Sequence, residues 1–241
     1  MNHTSKESLA NSSQYSAYSD SYFDELYNDN TDPWQYQTRW YEERKRNTCL
    51  ALLPQPHYER AIELGCGNGV LSELLAHRCQ DLISIDGNHQ AVKLAKERLA
   101  ALPHARVIQG IVPDKLFSLK ELLEQRKPLS ENTSINQPPF DLIVISEILY
   151  YLSSSDIDVV INWALHNLAL NGTLLCCHWR YAIDGFAMTG ESVHQRLHQV
   201  FTNNNKNQHS FNHQSQMIDS DFLLDIWQRS STSVAMQENL I

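Results

Sequence analysis

Three glycines at alternate positions constrain the fold of this chain more than any other feature of its sequence. They lie in the segment Glu63-Leu-Gly65-Cys-Gly67-Asn-Gly69-Val70, after an aliphatic run and before apolar residues at helical spacing. Glycine lets a backbone turn sharply and approach a ligand closely, and the free N–H groups of the following helix favour a carboxylate or a phosphate. The segment therefore predicts a ligand-binding turn between a strand and a helix.

The rest of the chain alternates short aliphatic runs with amphipathic stretches. Strands are predicted at Ala61–Leu64, Leu82–Ile85, Val107–Gln109, Asp141–Ile145 and Thr173–Cys177. Helices are predicted from Val70, over Ala91–Leu99, over Ile157–Leu168 and over Val193–Phe201, and a closing antiparallel pair is predicted within His209–Met217 and Phe222–Trp227. Buried strands that alternate with helices imply a parallel sheet covered on both faces, so the predicted fold is doubly wound α/β.

Composition divides the chain into three regions. Residues 1–20 are rich in Ser and Asn and are predicted to be disordered, because they carry too little apolar surface to offset the entropy of ordering. Residues 21–56 are dense in aromatics and predict an N-terminal helical cap, with a helix that starts at Pro33. Residues 57–241 form the main domain, in which 118–139 is a predicted surface insertion and 202–208 a predicted Asn-rich turn.

Charge and composition exclude several classes of function. The 28 acidic and 19 basic residues give a formal net charge of −9, which is the wrong sign for binding nucleic acid. No run approaches the ~18 apolar residues of a membrane span. The N-terminus lacks a signal-peptide core, and the five cysteines show no metal-ligand spacing. A cytoplasmic protein without a metal site is expected.

The glycine pattern resembles motif I of the class I S-adenosylmethionine-dependent methyltransferases. A dinucleotide fingerprint would place its third glycine at position 70, where this chain has Val70. Two further landmarks agree: Asp86 ends a strand with a carboxylate that can accept both ribose hydroxyls, and Phe140–Leu152 resembles motif IV. The resemblance implies a doubly wound, mostly parallel seven-stranded Rossmann-like sheet with an N-terminal helical cap, and S-adenosyl-L-methionine as the cofactor.

A narrower resemblance extends over nearly the whole chain. It rests on the segments Tyr22-Phe-Asp-Glu-Leu-Tyr-x-x-x-x-Asp32-Pro-Trp34, Thr38-Arg39-Trp-Tyr41-Glu-x-Arg44-Lys45, Ser146-Glu147-x-x-Tyr150-Tyr151-Leu152, His178-Trp179-Arg180 and Thr189-Gly190-x-x-Val193-His194. Together they resemble the nodulation N-methyltransferase (NodS-like) family, whose enzymes methylate the free amine of a deacetylated glucosamine in a lipo-chitooligosaccharide. The chain departs from that family by its 118–139 insertion and its first twenty residues. The resemblance implies N-methylation of an amino sugar or another small amine.

The same landmarks imply a donor site. Its expected residues are Trp34, Arg39, Glu63, Gly65, Cys66, Gly67, Asp86, Gly87, Ile111, Val112 and Ser146. Arg39 suits the donor carboxylate, and Ile111 leaves adenine to packing and backbone groups. Structural roles remain as alternatives: a tight turn that binds no ligand, a helix N-cap for Asp86 and a loop brace for Glu63. Trp34 and Arg39 could serve only to pack the N-terminal helical cap against the domain.

An acceptor site is expected beyond the carboxyl ends of the fourth and fifth strands, where ligands bind in open α/β sheets. Glu147 is expected to orient the amine and take its proton, and His178 is the second candidate. Tyr150, Tyr151, Trp179, Arg180 and His194 are expected to contact the acceptor. The alternatives are a helix-start role for Glu147, a hydrogen-bonded structural role for His178, and core packing for the tyrosines.

Two other functions remain compatible with the sequence. One is O- or N-methylation of an unrelated small metabolite, because a fold does not fix a substrate. The other is a regulatory protein that binds S-adenosylmethionine without turnover, against which the intact glycine loop, Glu147 and His178 argue. The oligomeric state is open.

Overall fold

One sheet of seven strands organises the chain in the computed structural model, which describes residues 20–124, 140–204, 211–230 and 232–241. The strands are β1 (Tyr58–Leu64), β2 (Cys79–Asp86), β3 (Ala105–Gln109), β4 (Phe140–Ser146), β5 (Leu168–Trp179), β6 (Asn212–Ile218) and β7 (Phe222–Gln228). Their order across the sheet is β3-β2-β1-β4-β5-β7-β6. All neighbours pair in parallel except β7, which runs antiparallel to both β5 and β6.

Helices connect and cover these strands. They are α1 (Asp20–Asn28), α2 (Trp40–Leu52), α3 (Val70–Ala76), α4 (His89–Arg98), α5 (Asp114–Glu124), α6 (Ser154–Asn167), α7 (Gly190–Asn204) and α8 (Val234–Gln237), with a 3₁₀ helix at Leu149–Tyr151. Within the described ranges, none of the helices combines the length and the apolar composition that a bilayer crossing requires.

The central strands are buried on both faces. In β4, Ile143 and Ile145 belong to one apolar cluster, while Leu142 and Val144 belong to another. Successive side chains of a strand point to opposite faces, so the two clusters cover the two sides of the sheet. This burial explains the near-continuous aliphatic runs of the sequence. The predicted doubly wound, mostly parallel sheet is confirmed.

Two local predictions are wrong. No helix starts at Pro33, because the Asp32 carboxylate accepts hydrogen bonds from the backbone N–H groups of Tyr36 at 2.8 Å and Gln37 at 3.1 Å and closes a turn instead. The prediction of a turn from residue 202 is wrong at its start, since α7 continues to Asn204. Residues 1–19, 125–139, 205–210 and 231 lie outside the described residues. They include most of the predicted disordered head, most of the predicted insertion and positions 205–208 of the predicted turn.

The strand ends converge at one edge of the sheet. Leu64 pairs with Ile85 on one side and with Ile145 on the other, so β1, β2 and β4 end level with one another. The segment after β1 is fixed there, because the N–H groups of Gly65 and Cys66 both donate to the carbonyl of Ile85. The α1 helix joins this edge through a 2.8 Å hydrogen bond from Asn88 Nδ2 to Asp24 Oδ1.

Candidate active site

A cavity of about 520 Å³ opens at this edge, between the strand ends and the residues that precede the sheet. This volume lies in the range of small-molecule sites, roughly 300–1,000 Å³. Its walls carry nine aromatic side chains: Tyr22, Phe23, Tyr27, Trp34, Tyr36, Tyr41, Tyr150, Tyr151 and Trp179. Most of these rings come from the chain before β1, so the N-terminal residues form much of the enclosure.

The glycine loop forms one wall of this cavity. Gly65 has φ of 75°, and a Cβ placed there would lie 2.9 Å from the Cβ of Ile148, closer than packed side chains allow. Gly67 has φ of 53°, and a Cβ there would lie 3.4 Å from Tyr36 Cε2 and 3.5 Å from Tyr27 Oη. A left-handed backbone with no side chain thus keeps the space between the loop and the tyrosines open.

Asp86 lies at the end of β2 and holds the loop while facing the cavity. Its Oδ2 accepts from the N–H of Gly67 at 2.8 Å, and its Oδ1 accepts from the N–H of Asn88 at 2.9 Å. Burial raises the pKa of this carboxyl group. Asn88 rather than Asp86 caps α4, by accepting from the N–H groups of Gln90 and Ala91. The carboxylate keeps acceptor capacity for a hydroxyl group in the cavity.

The hydroxyl of Tyr27 is a buried donor without a partner among the described residues. The residue is 5% exposed and lines the cavity beside Gly67. Burial, together with the charge of Asp86, raises the pKa of Tyr27, so the phenol stays protonated. Buried polar groups are normally hydrogen-bonded, so this orphan fits a ligand with an acceptor atom over the glycine loop.

Glu63 lies behind the loop and does not line the cavity. It is buried, and its Oε2 accepts hydrogen bonds from the hydroxyl groups of Ser72 and Ser84. Burial raises the pKa of Glu63 to about 7, although both serines oppose the shift. Glu63 therefore braces β1 against α3 and β2 through serine hydroxyl groups, and not the loop through its backbone N–H groups.

This shift predicts a pH dependence of stability. A carboxyl whose pKa is higher in the folded chain stabilises the fold below its unfolded pKa, and that contribution is lost as the pH rises through about 7. As the pH rises from ~4.5 to ~8, ionisation of Glu63 is expected to lower the free energy of unfolding by about 3 kcal/mol. Urea unfolding at several pH values should show a smaller fall for Glu63→Gln than for the wild type. Equal slopes for the two proteins would contradict the assignment.

A lysine shared by two glutamates lies on the other side of the cavity. Lys45 Nζ contacts Glu147 Oε1 at 2.6 Å and Glu42 Oε2 at 3.0 Å. Both carboxylates line the cavity, whereas Lys45 is 4% exposed. Burial disfavours the ammonium form, but Glu147 and Glu42 raise the pKa of Lys45, so it stays charged. Burial raises the pKa of Glu42. Two carboxylates thus share one ammonium group at this wall.

Glu147 occupies a strained backbone position at the end of β4. Its φ is 59°, in the left-handed region that residues with a Cβ seldom adopt. Its Oε2 accepts from the N–H of Trp179 at 2.9 Å and from the hydroxyl of Tyr150. Strain of this kind persists where surrounding contacts enforce it, and it concentrates at functional sites. The contacts fix the carboxylate at the cavity wall.

A buried relay of two histidines lies next to this wall. The N–H of Leu149 donates to His178 Nε2 at 3.4 Å, His178 Nδ1 faces His194 Nε2 at 3.1 Å, and His194 Nδ1 contacts Asp225 Oδ2. Burial holds the pKa of His178 well below its usual range, so the ring is neutral. With Nδ1 protonated in both rings, His178 donates to His194 and His194 donates to the Asp225 carboxylate, so each ring nitrogen has a hydrogen-bond partner.

The aromatic wall near Arg39 comes from the turn after α1. Trp34 is stacked on Tyr36 with ring centroids 5.6 Å apart and packs edge-on against Tyr27 at 5.8 Å. Arg39 lines the cavity and is exposed, and among the described residues its side chain has no hydrogen-bond or ion-pair partner. Asn68 of the glycine loop ties the turn down through Nδ2, which contacts Asp32 Oδ1 at 3.1 Å.

The comparisons with known proteins agree with this geometry. The family described as "Methyltransferase domain" matches residues 62–174. A crystal structure from Pseudomonas syringae, assigned as a methyltransferase, is 38% identical in sequence, and the alignment covers 79% of this chain and 99% of that chain, with a TM-score of 0.59. The chain belongs to the class I methyltransferase family. The family expected from the sequence is confirmed.

Other relatives of this methyltransferase are nodulation proteins. Nodulation protein S of Sinorhizobium fredii is 33% identical over 139 residues, which are 57% of this chain and 54% of the relative. The chain thus spans about half the length of the curated relatives it matches. The structure of N-methyltransferase NodS from Bradyrhizobium japonicum WM9 with S-adenosyl-L-homocysteine is 22% identical, covers 87% of this chain and 97% of that chain, and has a TM-score of 0.67. It shows the same fold, and the NodS-like resemblance is confirmed.

Twelve of the expected site residues line the cavity of the methyltransferase. They are Trp34, Arg39, Gly65, Gly67, Asp86, Gly87, Ile111, Val112, Glu147, Tyr150, Tyr151 and Trp179. The expected donor and acceptor residues therefore face one space, although 145 positions of sequence separate Trp34 from Trp179.

Six expected site residues lie outside the cavity lining: Glu63, Cys66, Ser146, His178, Arg180 and His194. His178 is fully buried beside Tyr150, with ring centroids 5.6 Å apart, and His194 is buried behind it. Arg180 turns toward α7, where its guanidinium pairs with Glu191 at 2.6 Å. Its direction follows from the ion pair, which draws the side chain away from the strand end.

Several lining residues were not among the expected set. Tyr27, Tyr36, Glu42 and Asp221 line the cavity, and Lys45 lies directly behind Glu42. Glu42 and Lys45 are three residues apart, a spacing that places both on one helix face and was visible in the sequence. Asp221 lies just before β7, and nothing local in its sequence indicates a site.

Proposed function

We propose that this methyltransferase uses S-adenosyl-L-methionine to methylate the nitrogen of a small amine, with an amino sugar of the deacetylated glucosamine type as the first candidate. The proposal rests on Glu42 and Glu147. Both carboxylates line the same cavity, and both contact the ammonium group of Lys45. The similarity to nodulation protein S supports the choice of an amino sugar.

The donor side of the cavity suits S-adenosyl-L-methionine. Asp86 offers two acceptor oxygens for the ribose hydroxyls, the open space over Gly67 admits the nucleoside, and Tyr27 supplies the unpaired donor. The guanidinium of Arg39 suits the carboxylate of the methionine end. When bound, S-adenosyl-L-methionine supplies a methyl group already activated by a sulfonium centre.

The cavity walls suit a positive charge. Among the described residues its lining has four carboxylates, Glu42, Asp86, Glu147 and Asp221, against the guanidinium of Arg39. Aromatic faces attract cations through their quadrupole, and they also exclude water from the reacting atoms. A cationic donor and an amine acceptor are therefore held in an environment that stabilises both, while Trp179 offers a face for stacking a sugar ring.

The carboxylates can also take up the proton that an amine acceptor must lose. An ammonium has no lone pair, so the amine must lose a proton before or during attack. Glu147 has its Oε2 occupied by Tyr150 and Trp179 and one side of Oε1 by Lys45, which leaves one lone pair of Oε1 to orient an N–H. Burial raises the pKa of Glu42, which suits this carboxylate to accept the proton. His178 acts through the N–H of Leu149 as a positioning residue.

The proposal is tested by measuring S-adenosylhomocysteine formation with matched acceptors. Glucosamine oligomers with one free amine, with and without an acyl chain, are compared with their N-acetylated counterparts, which differ only at the nitrogen. We expect turnover of the free amines and none of the N-acetylated forms. Turnover of hydroxyl acceptors without an amine would favour the alternative of O-methylation. Calorimetric binding of S-adenosylhomocysteine without turnover of any panel member would favour a regulatory binding protein.

A further inference from the structure

A second cluster of chemically active side chains lies where α7 meets the edge of the sheet. His198 of α7, His213 of β6 and Asp225 of β7 place their ligand atoms within 4.8 Å of one another. His213 Nε2 lies 2.6 Å and His198 Nε2 lies 3.2 Å from the same oxygen, Asp225 Oδ1. None of these residues lines the cavity described above.

The carboxylate of this cluster is fixed in place and oriented. Asp225 is 1% exposed, and its other oxygen, Oδ2, is held by His194, whose ring is held in turn by His178. Groups that bind a metal-ligating side chain from behind in this way set its orientation and raise its affinity for the ion. Oδ1 is thereby left to face the two imidazoles.

The two imidazoles are braced but accessible. Trp227 packs against both, with ring centroids 5.0 Å from His213 and 5.3 Å from His198. The side chains of His198 and His213 are 33% and 32% exposed, so an ion can enter from solvent and keep a water ligand. The fold thus presents a rigid carboxylate and two supported rings at one surface opening.

The hydrogen bonds within the cluster do not satisfy all its members. The Gln216 amide nitrogen lies 3.1 Å from His198 Nε2, which is also the atom that faces Asp225 Oδ1. If that nitrogen accepts from Gln216, its lone pair is in use and it has no proton for the carboxylate. Two acceptor atoms without a shared proton then lie 3.2 Å apart, an arrangement that a cation bound to both would relieve once Gln216 releases Nε2.

We propose that His198, His213 and Asp225 form a binding site for a divalent transition-metal ion of the Zn²⁺ class. Two imidazoles and one carboxylate form a typical ligand set for such an ion, with bonds of about 2.0–2.2 Å and a fourth position open to water. Tetrahedral bonds of this length separate ligand atoms by about 3.4 Å, so His213 Nε2 would move away from its 2.6 Å contact with Asp225 Oδ1 when the ion binds. The ion would fasten α7 to β6 and β7.

The first test uses tag-free protein stripped of metal and titrated with Zn²⁺ alone by calorimetry, with Co²⁺ as a coloured probe of the coordination geometry. We expect one ion per chain, and at least about 10-fold weaker binding in His213→Gln and in His198→Gln. His166→Gln is the matched control, because His166 is an exposed histidine on α6 bonded to the carbonyl of Asn162. It should bind as the wild type does.

Two further measurements distinguish loss of the metal site from loss of the fold. Zn²⁺ should raise the unfolding temperature of the wild type and of His166→Gln but not that of His213→Gln, because ligand binding stabilises only a folded site. Each variant should bind S-adenosylhomocysteine normally, which shows that it is folded. The proposal is overturned if the wild type does not bind Zn²⁺, or if binding is equally strong in all three variants.

Discussion

Gly67→Val is expected to weaken S-adenosylhomocysteine binding by about 100-fold or more while the chain still folds. The valine Cβ would lie 3.4 Å from Tyr36 Cε2, and its two methyl groups would extend into the space between the loop and the tyrosines. The methyl groups take the volume that the donor needs, and packing the donor against them costs about 1–3 kcal/mol, as overpacking does. Calorimetry gives the affinity directly.

Gly185→Val is the matched control for backbone strain. Gly185 also has a left-handed backbone, with φ of 86°, but a Cβ there meets nothing within 4 Å and the residue does not line the cavity. Both variants therefore carry the strain of a β-branched residue at positive φ, and only Gly67→Val obstructs the site. Normal binding by a folded Gly67→Val chain would show that the donor lies elsewhere.

Glu147→Gln is expected to lower kcat/KM by about 100-fold for an accepted amine, with donor affinity near that of the wild type. Glutamine keeps the shape of the side chain and removes the charge that orients the N–H. The single lone pair of Oε1 left by Lys45, Tyr150 and Trp179 makes this carboxylate a specific partner for one donor group. Steady-state kinetics with the best amine of the acceptor panel checks the prediction.

The Glu42→Gln variant distinguishes the role of Glu42 from that of Glu147. Because both glutamates share Lys45, the double variant should lose less activity than the product of the two single losses. Glu43→Gln is the control, since Glu43 is the exposed neighbour of Glu42 on α2. His178→Gln should change kcat/KM less than Glu147→Gln does. Full activity in both Glu147→Gln and Glu42→Gln would mean that another group handles the amine.

The sheet could be predicted from the sequence because its strands are buried on both faces. Runs such as Leu142–Ile145 have no polar residue to accommodate, so their apolar character is visible without knowledge of their neighbours. The closing pair was also recognisable, since Phe222–Gln228 is fully buried. What the sequence did not indicate is the antiparallel insertion of β7 between β5 and β6, which depends on long-range pairing.

The site was only partly predictable for a related reason. Glycines and strand-end carboxylates carry local signals, so Gly67, Asp86 and Glu147 were expected and do line the cavity. The residues after Pro33 form a turn and not the expected helix, because the hydrogen bonds that Asp32 accepts are not reflected in local helix propensity. The direction of a side chain is set by distant partners, such as Glu191 for Arg180, and no local pattern encodes it.

The origin of the cavity walls has a consequence for which substitutions can reshape the cavity. The glycine loop and Asp86 lie within residues 62–174, the part of the chain that matches the methyltransferase-domain family. Six of the nine wall aromatics, from Tyr22 to Tyr41, precede that part of the chain, and Trp179 follows it. Substitutions in the segments outside residues 62–174 can therefore change the shape of the cavity while the glycine loop and Asp86 stay the same.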